Sequence, residues 1–302
     1  MTLAATVRFI ISHPLSRGRM LQNLGRFAAW QIGARLVPGP VLAEFVGGAR
    51  LFAVPGLTGA TGNIYVGLHE FEDMAFVLHA LRPNDLFADV GANIGSFTVL
   101  ASAVVGARSV CFEPASQAFE WLLSNIRINR IENLVVARRE AVGAASGRID
   151  FTQTLDSVNH VVLIDASGKG CSPNETANVA MITLDAALEG DCPRVIKIDV
   201  EGFETDVIRG AANILRNPEL LAVIMELNSS GARYGHDETA LRSQMHSVGF
   251  REHSYAPFER ALRPLNIESD PAPGNFIFVR DAEKVRQRLE AAPSVNVWGT
   301  MV

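Results

Sequence analysis

Apolar and polar positions follow two periods along most of this chain, one typical of buried strands and one of amphipathic helices. Short apolar runs bounded by turn residues predict strands at 86–90, 109–113, 134–138, 194–199, 220–227 and 275–280. Apolar residues at intervals of three and four predict helices at 70–81, 95–105, 115–129, 203–216 and 237–248. Because the two patterns alternate, we expect an α/β fold with βαβ crossovers, a mainly parallel sheet and helices on both of its faces.

Two regions depart from this alternation. Residues 143–182 contain two short β-like pieces, at 148–152 and 160–164, and a polar loop at 167–178, so we interpret this segment as an insertion. Earlier in the chain, residues 50–54 predict a short strand, and the glycine-rich run at 55–62 predicts a turn or loop.

The first 43 residues contain five arginines and no Asp or Glu. Apolar residues recur at helical spacing between 18 and 36, which predicts an amphipathic helix. Such a helix packs on the main domain, or it rests on an anionic membrane or on a partner. The apolar run at 9–11 is too short for a signal peptide or a membrane span. We therefore expect a cytoplasmic protein whose basic N-terminus can contact the inner face of the membrane.

Composition narrows the classes of function. With 302 residues, of which 48% are apolar, the chain can bury a large core. Its net charge of −5 argues against nucleic acid as a partner, because phosphate binding needs a basic face. The three cysteines form no C-x-x-C pair, and their odd number fits a reducing compartment.

The loop after the first predicted strand of the sheet carries two glycines and follows a carboxylate. Gly91 permits a tight turn or a close approach, and Gly95 lets a helix begin close to the strand. The spacing is not G-x-G-x-x-G, and Asp89 would repel a pyrophosphate but suit a cationic ligand group. Glu113 ends the next strand, where an acidic side chain accepts hydrogen bonds from ribose hydroxyls.

A second cluster of charges ends the strand at 194–199. Lys197, Asp199 and Glu201 alternate with apolar residues, so they share one side if the strand continues. Two interpretations remain open from the residues alone. Lys197 could pair with a carboxylate and brace the sheet, or Asp199 and Glu201 could face a pocket and bind or deprotonate a hydroxyl. Glu226, at the end of the next strand, is a further candidate for the rim of that pocket.

Four motifs in sequence, DVGANIGSFT, FEP, VIKIDVEGFETDVIRGA and MEL, closely resemble those of FkbM-type methyltransferases over about residues 80–281. The resemblance implies a class I, Rossmann-like fold with a seven-stranded, mostly parallel sheet. It would divide the chain into an N-terminal helical extension at 1–80 and a methyltransferase domain at 81–302 with the insertion at 143–182. It also implies S-adenosylmethionine as the cofactor and O-methylation of a sugar, glycolipid or polyketide-like metabolite as the reaction.

The same resemblance assigns residues to parts of the site. Asp89, Gly91, Asn93 and Gly95 would line the methionine end of the cofactor, Glu113 would hold its ribose, and Glu140 and Ala141 would lie near adenine. Asp199 and Glu201 would face the methyl acceptor. Two alternatives of a different kind are a cofactor-binding module without turnover and, less favoured, a nicotinamide-dependent oxidoreductase.

His160, in the insertion, is a rival to Asp199 as the catalytic base, because histidine titrates near neutrality. The other histidines show no spacing typical of a transition-metal site, so we expect no such metal. The residues alone leave open, but do not indicate, a divalent cation held by Asp199, Glu201 or Glu226.

Overall fold

The computed structural model describes residues 2–36, 39–54, 58–152, 160–162, 176–265 and 273–302. The α-helices of this part of the chain are α1 (Leu3–Ser12), α2 (Met20–Leu36), α3 (Thr58–Val66), α4 (Phe71–Ala80), α5 (Ser96–Val99, continued as a π-helix over Leu100–Val105), α6 (Ser116–Ile128), α7 (Leu184–Leu188), α8 (Glu204–Arg209), α9 (Glu238–Ser247) and α10 (Ala282–Glu290). The strands are β1 (Val41–Glu44), β2 (Arg50–Ala53), β3 (Leu86–Val90), β4 (Arg108–Phe112), β5 (Val135–Arg138), β6 (Ala141–Val142), β7 (Gly147–Thr152), β8 (Val161–Val162), β9 (Thr176–Ile182), β10 (Val195–Ile198), β11 (Ala222–Leu227), β12 (Arg251–Ala256), β13 (Ala261–Pro264), β14 (Gly274–Val279), β15 (Asn296–Val297) and β16 (Thr300–Met301).

An eight-stranded sheet with the order β13-β12-β14-β11-β10-β3-β4-β5 forms the centre of the fold. The five strands from β11 to β5 are parallel, whereas β14 runs antiparallel to both of its neighbours. The predicted α/β fold with a mostly parallel sheet is confirmed. The sheet has one strand more than the seven predicted, because the chain turns back after β12 and adds β13 as an antiparallel edge strand.

Side chains of the central strands alternate between two hydrophobic cores. Phe87, Val195 and Ile224 belong to a core that also contains apolar residues of α4, α5, α6 and α10. Their neighbours in the chain point to the other face, where apolar residues of α7, α8 and α9 complete a second core. This alternation follows from the two-residue period of a strand and leaves the strand ends free to carry polar side chains.

The predicted insertion forms a separate four-stranded sheet with the order β6-β9-β7-β8. Its β-like pieces are confirmed at 147–152 and 161–162, and residues 163–164 lie outside the described residues. The polar loop predicted at 167–178 lies outside them up to residue 175, and from Thr176 the chain is in β9 instead.

The prediction of a turn or loop at 55–62 is wrong from Thr58 onwards, where α3 begins. Ala60, Tyr65 and Val66 of this helix are buried against Phe27 and Trp30 of α2. Burial of these side chains offsets the low helix propensity of the glycines, so tertiary packing decides the conformation.

The N-terminal helix predicted at 18–36 is present as α2 and packs on the rest of the protein. Besides Phe27 and Trp30, its Asn23 is buried, and Arg19 just before it donates to the carbonyl oxygens of Trp298 and Gly299 at 2.8 Å each. The packing role is therefore confirmed. None of the helices in the described ranges combines the length and the apolar character needed to cross a membrane.

Candidate active site

A cavity of about 590 Å³ opens where β3, β4, β10 and β11 end. Eight of the ten residues predicted for the site line it, namely Asp89, Gly91, Asn93, Glu113, Glu140, Ala141, Asp199 and Glu201. Gly95 and His160 are not among the lining residues. The two motifs of the sequence therefore meet in one site, as expected for strands whose carboxyl ends lie at the same edge of a sheet.

Gly91, in the loop after β3, contacts the backbone of Asp199, which follows β10. Its φ angle is +80°, and a Cβ atom at this position would lie 1.8 Å from the backbone oxygen of Asp199. The backbone nitrogen of Asp199 in turn donates to the oxygen of Val90 at 3.0 Å. The close approach that Gly91 permits is thus an approach of the protein's own backbone, and it fixes Asp199 relative to the loop.

Gly95 acts beside the cavity rather than on its surface. It precedes α5 with a φ angle of +88°, and a Cβ atom there would lie 2.5 Å from the Cδ1 atom of Leu122 in α6. The glycine therefore lets α5 start directly against α6, which holds the loop above the sheet.

At the ends of β3 and β4, Asp89 and Glu113 line the cavity as two buried carboxyl groups with different hydrogen-bond partners. Asp89 Oδ2 accepts a hydrogen bond from the Thr98 hydroxyl at 2.6 Å, whereas its Oδ1 is buried and has no hydrogen-bond partner among the described residues. Burial raises the pKa of Asp89, and the charge of Lys197 opposes this rise. An unpaired buried acceptor on a cavity wall is costly unless a ligand donates to it.

Glu113 holds the loop as well as lining the cavity. Its carboxylate accepts from the backbone N–H groups of Asn93 and Ala115, both at 2.8 Å. Burial raises its pKa to about 7 against these two hydrogen bonds. Each carboxylate oxygen can accept a second hydrogen bond, so the bracing role leaves capacity for a ligand.

Glu140 forms an ion pair with Arg138, with 2.5 Å between Oε2 and Nε, and Ala141 beside it is buried in β6. These two residues line the cavity together with Phe151 and Val161 of the insertion.

Beside Asp89, on the neighbouring strand β10, the cavity wall is built around Lys197, which is only 4% exposed. Its Nζ atom donates to Asp199 Oδ2 at 2.7 Å and lies 4.7 Å from the centroid of the Phe97 ring. Burial alone would lower the pKa of Lys197, but the charges of Asp199, Glu70 and Asp89 outweigh burial and raise it. The ammonium is therefore a permanent charge among carboxylates.

Asp199, Glu201 and Glu226 bring carboxylate oxygens within 4.8 Å of one another. Burial would raise the pKa of Asp199, but the Lys197 charge and hydrogen bonds from Lys197 and Glu226 keep it below its usual value. Burial and the neighbouring charges of Asp199 and Glu201 raise the pKa of Glu226 to about 8. At neutral pH the pair therefore holds one proton, which Glu226 donates to an ionised Asp199.

Among the lining residues that sequence reasoning missed are His69, Glu70 and Asn275. Asn275 Nδ2 donates to Glu70 Oε2 at 2.8 Å and to Asp73 Oδ2 at 2.7 Å, which ties β14 to the start of α4. The one signal in the sequence was an acidic cluster, Glu70, Glu72 and Asp73, at the start of an otherwise apolar helix.

His160 lies at the start of the short β8 segment. Its backbone N–H donates to the Thr152 hydroxyl at 2.8 Å, and its neighbour Val161 is the residue of this segment that lines the cavity. Tyr234 holds the same segment by donating to the Val161 oxygen at 2.8 Å. The role of His160 as a base stays a prediction.

A parallel sheet whose first crossover carries a glycine loop over a cavity at the strand ends is the arrangement of Rossmann-like proteins that bind nucleotide cofactors. Comparison with family models makes the class more specific. The methyltransferase FkbM domain matches residues 89–252, more than half of the chain, and the protein belongs to this family of methyltransferases.

A curated relative and two crystal structures are similar to this chain. Hexuronic acid methyltransferase AglP from Haloferax volcanii is 26% identical over 214 residues, which cover 70% of this chain and 84% of the relative. Protein PH0793 from Pyrococcus horikoshii has a TM-score of 0.44 at 12% identity and covers 84% of this chain and 81% of its own. Precorrin-6y C5,15-methyltransferase from Geobacter metallireducens has a TM-score of 0.40 at 11% identity, with 70% of this chain and 87% of its own covered.

Proposed function

We propose that this methyltransferase uses S-adenosylmethionine to methylate a hydroxyl oxygen of a sugar, a glycolipid or a polyketide-like metabolite. One observation carries the proposal. A single cavity contains Asp89 and Glu113, from the ends of two neighbouring strands, and an ionised carboxylate, Asp199, held by a buried lysine of the next strand. The similarity to a hexuronic acid methyltransferase supports a sugar acceptor.

Asp89, Glu113, Glu140 and Ala141 fit the cofactor. Asp89 offers a buried oxygen that has no hydrogen-bond partner among the described residues, which suits the ammonium of the amino acid end. Glu113 retains capacity to accept from ribose hydroxyls, and Glu140 and Ala141, which also line the cavity, would contact the adenine. S-adenosylmethionine supplies, when bound, a methyl group on a positively charged sulfur.

Asp199 and Glu201 fit a hydroxyl acceptor. Asp199 accepts the proton of the hydroxyl, and Glu201 orients the acceptor beside it. An aspartate with a lowered pKa is a weak base, so the proton moves as the new oxygen–carbon bond forms and the hydroxyl becomes acidic. Lys197 and the proton on Glu226 keep Asp199 ionised and in place. Positioning of the acceptor against the donor supplies much of the remaining rate acceleration.

The test is release of S-adenosylhomocysteine during incubation with S-adenosylmethionine and a panel of neutral glycosides, uronosides and glycolipids. We expect release that depends on the acceptor. Calorimetry on the same sample separates the alternatives. Cofactor binding without turnover on any acceptor would favour a binding module, and binding of a nicotinamide dinucleotide in its place would contradict the proposal.

A further inference from the structure

The outward face of α2 carries large apolar side chains that the protein itself does not cover. Leu21, Ile32 and Leu36 are 81%, 61% and 74% exposed. Residues 21 and 32 are separated by about three helical turns and residue 36 lies about one turn further, so the three side chains form one stripe. Single exposed apolar residues are ordinary, but a stripe on one helix face marks a surface that binds something. We name these three side chains the α2 stripe.

The α2 stripe belongs to a fixed helix. On the opposite side of α2, Phe27, Trp30 and Asn23 are buried. Arg26, on that same inner side, stacks on the Trp298 ring at 3.8 Å from its centroid. Since the opposite face of α2 is packed on the protein, the orientation of the helix is fixed and the α2 stripe faces outward.

Exposed arginines accompany the α2 stripe. Arg35 precedes Leu36 at one end of the stripe, Arg17 is exposed four residues before Leu21, and Arg8 is exposed on α1. Within the described ranges, none of the five arginines of residues 1–43 forms a salt bridge. Since the whole chain has a net charge of −5, this segment is basic within an otherwise acidic protein. An apolar stripe accompanied by exposed arginines without salt bridges in the described ranges is complementary to an anionic lipid surface, where apolar side chains enter the interface and arginines meet headgroups.

The same segment adjoins the active site. The ring of Phe9 in α1 lies 4.9 Å from the ring of His69, which lines the cavity, and His13 Nε2 lies 3.3 Å from the His69 backbone oxygen. A surface bound at the N-terminal helices would thus lie beside one wall of the cavity.

We propose that the α2 stripe and the arginines around it dock the protein on an anionic lipid surface. The proposal does not depend on methyl transfer, and it is tested without cofactor or acceptor. The assay is sedimentation of the full chain with phosphatidylcholine vesicles that contain about one quarter phosphatidylglycerol, compared with pure phosphatidylcholine vesicles. We expect pelleting with the anionic vesicles that weakens as salt is raised.

Two variants separate the apolar and the electrostatic contributions. The triple change Leu21→Ser, Ile32→Ser and Leu36→Ser should lower the partition coefficient at least about tenfold, because membrane binding scales with buried apolar area. The control Val136→Ser with Leu265→Ser removes exposed apolar side chains from β5 and from the chain just after β13, and it should bind like the wild type.

The electrostatic variant changes Arg8, Arg17 and Arg35 to Gln. It should weaken binding by about fivefold for each arginine. Its control removes the same charge from three exposed arginines that are ion-paired elsewhere, Arg209, Arg263 and Arg286, and should bind like the wild type.

Other outcomes would overturn the proposal. Absence of salt-sensitive pelleting would do so, and so would pelleting that the two N-terminal variants leave unchanged. Binding to heparin as tight as to vesicles, with no effect of the serine variant, would identify a soluble polyanion as the partner. A dimer in ultracentrifugation that the serine variant dissociates would identify a second copy of this chain. Equal thermal unfolding temperatures of all variants would show that differences in binding do not come from misfolding.

Discussion

Asp199→Asn tests the proposed division of labour at the acceptor end of the cavity. The change keeps the size of the side chain and removes the charge that Lys197 meets at 2.7 Å. A placed base typically contributes about 10²–10⁴-fold, so kcat should fall at least about 100-fold while the affinity for S-adenosylmethionine stays within a few-fold. Removal of one partner of a buried ion pair costs about 3–5 kcal/mol. The cost should be smaller here, about 1–3 kcal/mol, because the Asp199 side chain is 32% exposed and the amide oxygen can still accept from Lys197.

The assay combines release of S-adenosylhomocysteine, calorimetry for cofactor binding and chemical unfolding. Asp191→Asn is the matched control, because it makes the same change in an exposed ion pair with Arg108 away from the cavity. Lys197→Met tests whether the ammonium of Lys197 keeps Asp199 ionised. Without the ammonium the pKa of Asp199 should rise, so the acid limb of the pH profile of kcat should move to higher pH. A folded Asp199→Asn variant with the kcat of the control would show that Asp199 is not the base. A variant that only loses stability would show that the pair braces the sheet.

Four further predictions concern single groups. Glu113→Ala should weaken S-adenosylmethionine binding by about 1–3 kcal/mol in calorimetry, and unchanged affinity in a folded variant would remove Glu113 from the cofactor site. His160→Ala should lower kcat less than about threefold, since His160 does not line the cavity, and a loss as large as that predicted for Asp199→Asn would exchange their roles. EDTA should not reduce activity, because Lys197 already supplies the cation beside Asp199; loss that Mg²⁺ restores would contradict this. Burial and repulsion by Glu70 raise the pKa of Asp73 to about 7, so the folded protein retains a proton that the unfolded chain releases near pH 4. The free energy of unfolding of the wild type, relative to that of Asp73→Asn, should therefore fall by a few kcal/mol from pH 4 to above pH 7 in chemical unfolding, and a constant difference would contradict the assignment.

The central sheet could be predicted from the sequence because its strands are buried on both faces. The apolar run at 86–90 coincides with β3, and the strand predicted at 194–199 contains β10. Local patterns failed where distant contacts decide the structure. The glycines of α3 favour a loop until Phe27 and Trp30 of another helix cover Tyr65. Edge strands such as β13 carry too few apolar residues to produce a pattern.

The site divides in the same way. Asp89, Glu113 and Asp199 could be predicted because each follows or ends a parallel strand, and the topology brings those ends together. Glu70 and Asn275 could not, since they reach the cavity from a helix start and an antiparallel strand that lie far from the motifs in sequence. The sequence also could not show which of the two carboxyl groups, Asp199 or Glu226, is ionised. The pKa values of Asp199 and Glu226 move in opposite directions only because Lys197 is buried against one of the two carboxyl groups.

The most direct measurement is the position of the transferred methyl group. The protein is incubated with S-adenosylmethionine labelled with ¹³C in the methyl group and with the acceptor that supports turnover, and the product is examined by NMR and after mild alkali. We expect a labelled methyl ether on a hydroxyl oxygen, which resists alkali, and no label in the product of Asp199→Asn. A label released by alkali as a carboxylate ester, a label on nitrogen, or equal labelling by Asp199→Asn would contradict oxygen methylation with Asp199 as the base.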